Sequence, residues 1–180
     1  ATMKIAVINF SGNVGKSTVA RHLLQPRVEG AELISVESLN ATEGQAQTIR
    51  GRQFAELQEY LQTVASAVVD IGASNVEQLL ELMRQYRGSH EDFDAFVVPT
   101  VPAFKQQQDT IATLVELSRI GVPSSRVHLL FNMVDDRDEL ARSFHPLFSF
   151  VAAHPVAQSN PACRLGENEI YARLKSTGMN

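Results

Sequence analysis

Short apolar runs alternate along this chain with stretches whose apolar residues recur every three or four positions. The runs are Lys4 to Asn9, Glu32 to Val36, Ala65 to Asp70, Ala95 to Val98 and Val127 to Phe131. Each is rich in Val, Ile, Leu or Ala with little polar alternation, the mark of strands buried on both faces of a parallel sheet. Between them, Phe54, Leu57 and Leu61 stripe one helix. Val76, Leu79, Leu80 and Met83 stripe a second, and Ile111, Leu114, Leu117 and Ile120 a third. Ser74-Asn75-Val76-Glu77 has the capping-box spacing and predicts where the second helix starts. Gly121 and Pro123 stop the third. Strands alternating with helices predict an α/β fold, a mostly parallel central sheet with helices on both faces.

The segment from Asn40 to Gly51 is polar and aperiodic and reads as a loop. From His145 onward Pro146, Pro155 and Pro161 interrupt the apolar stretches, although Phe144, Phe148 and Val151 read as helix core and Glu169 to Leu174 as a final helix. No repeat or linker divides the 180 residues, and 44% hydrophobic content suffices for one domain with a buried core. Ala1-Thr2 ahead of Met3 reads as an expression remnant.

The stretch NFSGNVGKST, residues 9 to 18, carries the most chemistry. It follows the first apolar run and opens the helical pattern TVARHLL. A strand turning through small residues into Gly15-Lys16-Ser17-Thr18 at a helix start is a phosphate cradle. Backbone N–H groups, the positive end of the helix dipole and one lysine converge there on an anion. In this P-loop reading Ser11, Gly12, Asn13, Val14, Gly15, Lys16, Ser17 and Thr18 wrap the phosphates. Lys16 holds the β- and γ-phosphates, and the Ser17 hydroxyl ligates Mg²⁺. The usual P-loop needs a glycine where Phe10 stands. The deviant form KGGxGK[ST] fits the spacing: Gly12 and Gly15 match, Asn13 replaces a glycine, and Ser11 replaces the signature lysine. Asn tolerates positive φ better than most residues, so the turn remains feasible.

Phosphate chemistry needs Mg²⁺ ligands and an acid near the attacking water. Asp70 ends the apolar run AVVD, at the sheet edge where ligands meet open α/β sheets. It is expected to hold Mg²⁺ through water, the alternative being a cap on the following helix. In the comparable frame FDAFVVPTVP the acidic position is Pro99, which ligates nothing; Asp94, ahead of that strand, reads as structural. Glu37, ending ISVES, emerges at the same edge. It either orients water or is a solvated loop glutamate. Asn132 and Asp135 in LLFNMVDD suit a base-reading pair, the amide matching adenine's N6 and N7. Asp135 or Asp136 otherwise caps a helix.

The formal net charge of −4 gives no nucleic-acid footprint, and Arg164, Arg173 and Lys175 are too scattered to make one, so direct DNA binding is not expected. The single Cys163 excludes an internal disulfide, suits a reducing cytosol and has no evident base beside it. The five histidines form no metal-ligand pattern. No run is long enough for a membrane span, and none has a signal peptide's form. A soluble, cytoplasmic protein is expected.

SGNVGKST, ISVES, VVDIGAS and LLFNMVD, in that order and covering most of the chain to about Leu140, resemble the deviant P-loop ATPases of the ParA and MinD class. Within it, MKIAVINFSGNVGKST and TIRGRQFAELQEYLQ look most like the StbB plasmid-stability proteins. The resemblance implies a bacterial, ATP-dependent and Mg²⁺-dependent switch in plasmid maintenance or conjugative transfer. It also implies a plasmid-encoded partner protein, a homodimer with ATP between subunits, and slow hydrolysis involving Lys16 and Glu37. Ser11 departs from the pattern, because the signature lysine normally reaches the partner subunit's phosphates; Arg50, Arg52 and Lys105 are loop cations able to substitute. That departure keeps open a nucleotide-binding interaction module with negligible turnover. A small-molecule kinase or ligase on the same fold is the third reading, for which no acceptor motif is present.

Overall fold

The computed structural model describes residues 2–36, 51–133 and 137–159. Its strands are β1 (Lys4–Val7), β2 (Glu32–Val36), β3 (Ala67–Ile71), β4 (Ala95–Thr100) and β5 (Val127–Phe131). All pair in parallel, in the order β2-β3-β1-β4-β5. The fold expected from the apolar runs is therefore present. From β1 the chain crosses to the edge strand β2, returns to β3 beside β1, and then passes to β4 and β5 on the other side. The winding reverses between β1 and β4, and in open α/β sheets ligands sit outside the carboxyl ends of strands at such a point.

The helices are α1 (Lys16–Thr18, continued as a π-helix over Val19–Leu24), α2 (Gly51–Thr63), α3 (Ala73–Gln85), α4 (Phe104–Arg119), α5 (Arg137–Ser143) and α6 (His145–Ala153). Alternate strand residues face opposite layers. Ile5, Val7, Val68, Val97 and Leu130 pack against Val19, Ala20, Leu23 and Leu24 of α1. Ala6, Val69, Ile71, Phe96, Val98, Leu129 and Phe131 pack against α2, α3, α4 and α6. Strands sandwiched in this way have no polar face, which is why their sequences read as unbroken apolar runs. Phe148 stacks on Phe131 and Phe144 meets it edge-on, each 5.0 Å between ring centroids, and Val151 is buried in the same cluster.

Some expectations shift. The strand drawn from Ala95 to Val98 continues through Pro99 to Thr100. Val97 accepts from the amide of Ile8, so its backbone groups face β1 and those of Pro99 do too. The ladder of β1 has ended there, and a missing N–H costs nothing. The capping box at Ser74 does not form: α3 starts at Ala73 with Gly72 as N-cap and no side-chain cap bond. The Gly72 amide is bonded to the Val36 carbonyl at 2.8 Å, so the chain turns into the helix before Ser74. In α4 the apolar stripe is rotated. Gln107, Thr110, Thr113, Leu114 and Leu117 are buried, whereas Ile111 and Ile120 are half-buried. Gln107 donates to the carbonyls of Pro102 (2.7 Å) and Ser143 (2.8 Å), and Thr110 and Thr113 turn toward the loop after β1. The loop expected up to Gly51 and the helix expected from Glu169 to Leu174 fall outside the described residues, except that Gly51 begins α2.

Candidate functional site

β1 ends into a tight loop that wraps the N-terminus of α1. Asn13 takes a left-handed backbone (φ 56°), as its tolerance of positive φ predicts, and Gly15 does so at φ 85°. A Cβ on Gly15 would lie 2.4 Å from Asn132 Nδ2, so only glycine fits, whereas the space beside Gly12 is open. Val14 is fully buried and pins the turn; Gly12, Asn13, Ser17 and Thr18 are exposed. A concave run of backbone ending at a helix N-terminus is the geometry that receives an anion.

Lys16 folds back over this loop and donates from Nζ to the Ser11 carbonyl. Lys16 is 8% exposed, and burial pushes its pKa below the ordinary lysine value while the Asp70 carboxylate opposes the shift. A desolvated cation with no carboxylate bonded to it is poised for an incoming anion. The Ser17 hydroxyl donates to Asp70 Oδ2 at 2.8 Å. Asp70 Oδ1 is buried and has no hydrogen-bond partner. An orphaned carboxylate oxygen beside a hydroxyl fits Mg²⁺, which keeps several waters and takes few protein ligands. Among the described residues no group of three or more His, Cys, Asp or Glu forms a metal cage. The donor set thus suits a cation that arrives with phosphate oxygens and water. Asp70 is engaged with Ser17, and α3 is capped by Gly72, which answers the alternative that Asp70 caps that helix.

The first half of the loop is held from below by side chains that the sequence did not single out. Asn9, fully buried, donates from Nδ2 to the Pro99 carbonyl (2.9 Å) and to Thr110 Oγ1 (2.8 Å), and its Oδ1 accepts from the Ser11 amide (2.9 Å). Thr113 Oγ1 accepts from the Phe10 amide at 3.0 Å. The Ser11 hydroxyl bonds Asp109, and Asp109 also pairs with Lys105 at 3.4 Å. α4 thus fixes Asn9, Phe10 and Ser11 individually. The available signal was Asn9 itself, a polar residue closing an apolar strand, with Thr110 and Thr113 spaced one helical turn apart.

Asn132 supports the second half. Its Nδ2 donates to the Val14 carbonyl at 3.3 Å, and its Oδ1 accepts from the Met133 amide at 2.9 Å. The amide thus braces the loop and leaves one N–H uncommitted. Asp94 accepts from the Lys4 amide at 2.8 Å and is structural, as expected. Lys105 is not a loop residue: it lies in the first turn of α4. Arg52 lies on α2. Glu37, Arg50, Asp135, Asp136, Cys163, Arg164, Arg173 and Lys175 fall outside the described residues.

A cleft of about 750 Å³ opens between α3 and α4. It meets the loop only at Phe10, and its walls carry the Arg84–Glu81 and Arg119–Glu116 pairs. It is separate from the Lys16–Ser17–Asp70 group. No helix among the described residues is long and apolar enough to cross a membrane.

No protein-family model matches this chain, and no curated protein matches it. Solved structures do match in fold. A chain of the MinC:MinD cell division protein complex of Aquifex aeolicus aligns with a TM-score of 0.59 at 10% identity, over 97% of this chain and 86% of that one. A plasmid partition protein from Borrelia burgdorferi gives 0.52 at 14% identity, over 98% and 95%. MinD from Pyrococcus horikoshii, solved with Mg-ADP, gives 0.51 at 12% identity, over 98% and 86%. This chain has the P-loop NTPase fold of the ParA and MinD proteins.

Proposed function

We propose that this chain is a Mg²⁺-ATP-binding switch ATPase, a single P-loop domain of the ParA and MinD class most like the StbB proteins. It acts in plasmid stability, partition or conjugative transfer in the bacterial cytoplasm, with a plasmid-encoded protein as its partner. The observation that carries this reading is one group: the buried Lys16 ammonium, the Ser17 hydroxyl on Asp70, and the unpartnered Asp70 Oδ1, all at the mouth of the left-handed loop. The fold shared with a Mg-ADP-bound MinD and with a plasmid partition protein supports it.

In this reading the amides of Gly12 to Thr18 and the α1 N-terminus bind the phosphate oxygens. Lys16 leaves the Ser11 carbonyl to neutralise charge that grows on the transferred phosphoryl group. Ser17 and Asp70 would hold Mg²⁺, which when bound would supply positive charge that offsets the phosphates'. Asn132, anchored on Val14, presents its remaining N–H to adenine, and Asp135 joins it. Glu37 orients the attacking water.

Ser11 favours a second reading, a nucleotide-binding module with negligible turnover. Its hydroxyl is committed to Asp109 and brings no charge to the phosphates. Phosphate release from ATP by wild type, Lys16→Ala and Glu37→Gln separates the readings. Turnover that disappears in both variants supports the switch ATPase. Binding without turnover in wild type supports the module, and no binding at all defeats both. Light scattering with Mg²⁺-ATP, Mg²⁺-ADP and no nucleotide then reports whether ATP builds a homodimer.

A further inference from the structure

We infer that Lys105 is a second phosphate-facing cation, held ready on Asp109 at the terminal-phosphate end of the loop, and that it makes the site discriminate triphosphate from diphosphate. This rests on the nucleotide-binding reading of the loop.

The loop has two ends, and the structure distinguishes them. Asn132, proposed for the base, touches Val14 and Gly15. The opposite end is Ser11, and the Lys16 ammonium is drawn to its carbonyl. With the base at Asn132, the last phosphate of the chain lies toward Ser11. The carboxylate of Asp109 also stands there, bonded to the Ser11 hydroxyl. An uncompensated anion at that point would repel a polyanion. The charge that compensates it is Lys105, whose Nζ lies 3.4 Å from Asp109 Oδ2 one helical turn earlier.

The topology puts this pair in place. The winding reverses between β1 and β4, so the loop after β1 and the start of α4 after β4 flank the same crevice. Lys105 lies in the first turn of α4, its side chain 80% exposed and paired with Asp109. Such exposed pairs contribute little, so a phosphate oxygen competes easily for the ammonium. Lysine suits the role, as a flexible point charge able to move between two anions. Among the described residues the other lysine at the loop is Lys16, carried by α1 on the opposite face of the sheet from α4, so the two cations reach the terminal phosphate from opposite sides.

The test is equilibrium binding of fluorescent mant-ATP and mant-ADP, with saturating Mg²⁺, to wild type, Lys105→Met, Lys105→Arg and Asp109→Asn. One charge a few ångströms from the terminal phosphate, in partly hydrated surroundings, is worth roughly a threefold to tenfold change in affinity. Lys105→Met is expected to weaken mant-ATP by that factor and mant-ADP by less than about twofold, with the loss shrinking as salt rises. Lys105→Arg should stay near wild type. Asp109→Asn should raise the preference for mant-ATP over mant-ADP, because it frees the ammonium and removes an anion. Equal losses for both nucleotides in Lys105→Met, or no loss, would overturn the role of Lys105 and leave the nucleotide site standing. Failure of wild type to bind either nucleotide would overturn both.

Discussion

Asn9→Ala removes the side chain on which the phosphate loop is built. The wild-type amide is fully buried and serves the Pro99 carbonyl, Thr110 Oγ1 and the Ser11 amide at 2.8 to 2.9 Å. Pro99 lies past the last rung of β1, so its carbonyl has no strand partner to fall back on. The Ser11 amide sits in a residue that is 3% exposed. Thr110 Oγ1 loses least, because it keeps the Gln106 carbonyl at 2.7 Å and Thr100 Oγ1 at 2.9 Å. A buried group deprived of its partner costs about 1–3 kcal/mol, so the two orphans together cost about 2–4 kcal/mol once water enters the vacated space. Against a total stability of about 5–15 kcal/mol this is a large fraction. For a chain of this size it lowers Tm by about 5–15 °C.

The assay is thermal and urea denaturation followed by far-UV circular dichroism, with Ser35→Ala on the exposed side of β2 as a variant expected to change little. Asn9→Asp keeps the acceptor for Ser11 but replaces both donors with an anion facing the Pro99 carbonyl, and should cost at least as much as alanine. A fall in Tm below about 2 °C for Asn9→Ala would refute the claim that this amide carries the loop.

Gly15→Ala forces both a left-handed alanine and a Cβ 2.4 Å from Asn132 Nδ2. A loss of about 2–3 kcal/mol by urea denaturation is expected, partly relieved in the Gly15→Ala/Asn132→Ala double variant. Lys16→Met should raise stability at neutral pH while removing nucleotide binding, because it replaces a buried ammonium. Burial lowers the Lys16 pKa below its ordinary 10.5, so the unfolded chain binds more protons between the folded value and 10.5. Wild-type stability relative to Lys16→Met therefore rises with pH across that alkaline window, and urea midpoints measured from pH 7 to pH 10.5 should converge.

Much of this was legible beforehand because β1, β3, β4 and β5 are almost wholly buried. Apolar residues dominate there, and with the Leu-Ile-Val positions of the edge strand β2 all five strands stood out within a residue or two at most ends. The phosphate loop was legible for the opposite reason. Its backbone needs Gly15, and its chemistry needs Lys16 and Ser17, so residue types are dictated by contact geometry rather than by burial. The support beneath the loop was harder to see. Thr110 and Thr113 are buried only because they bond the Asn9 and Phe10 main and side chains, a contact made across about a hundred residues of sequence. Helical periodicity alone favoured Ile111 and Ile120 for that face. The failure of the Ser74 capping box has a similar cause: the bond from Gly72 to β2 decided the start of α3. Ser11 looked like a lost cation in the sequence; its link through Asp109 to Lys105 became visible only when α4 was set beside the loop.

Isothermal titration of ATP into wild type and Asp70→Ala, each with Mg²⁺ and with EDTA, tests the central assignment most directly. A single saturable site in wild type that weakens at least tenfold in EDTA is predicted, about 1.4 kcal/mol of Mg²⁺ dependence that Asp70→Ala largely abolishes. An absence of binding heat and competition at millimolar ATP, or Mg²⁺ dependence untouched by Asp70→Ala, would contradict it.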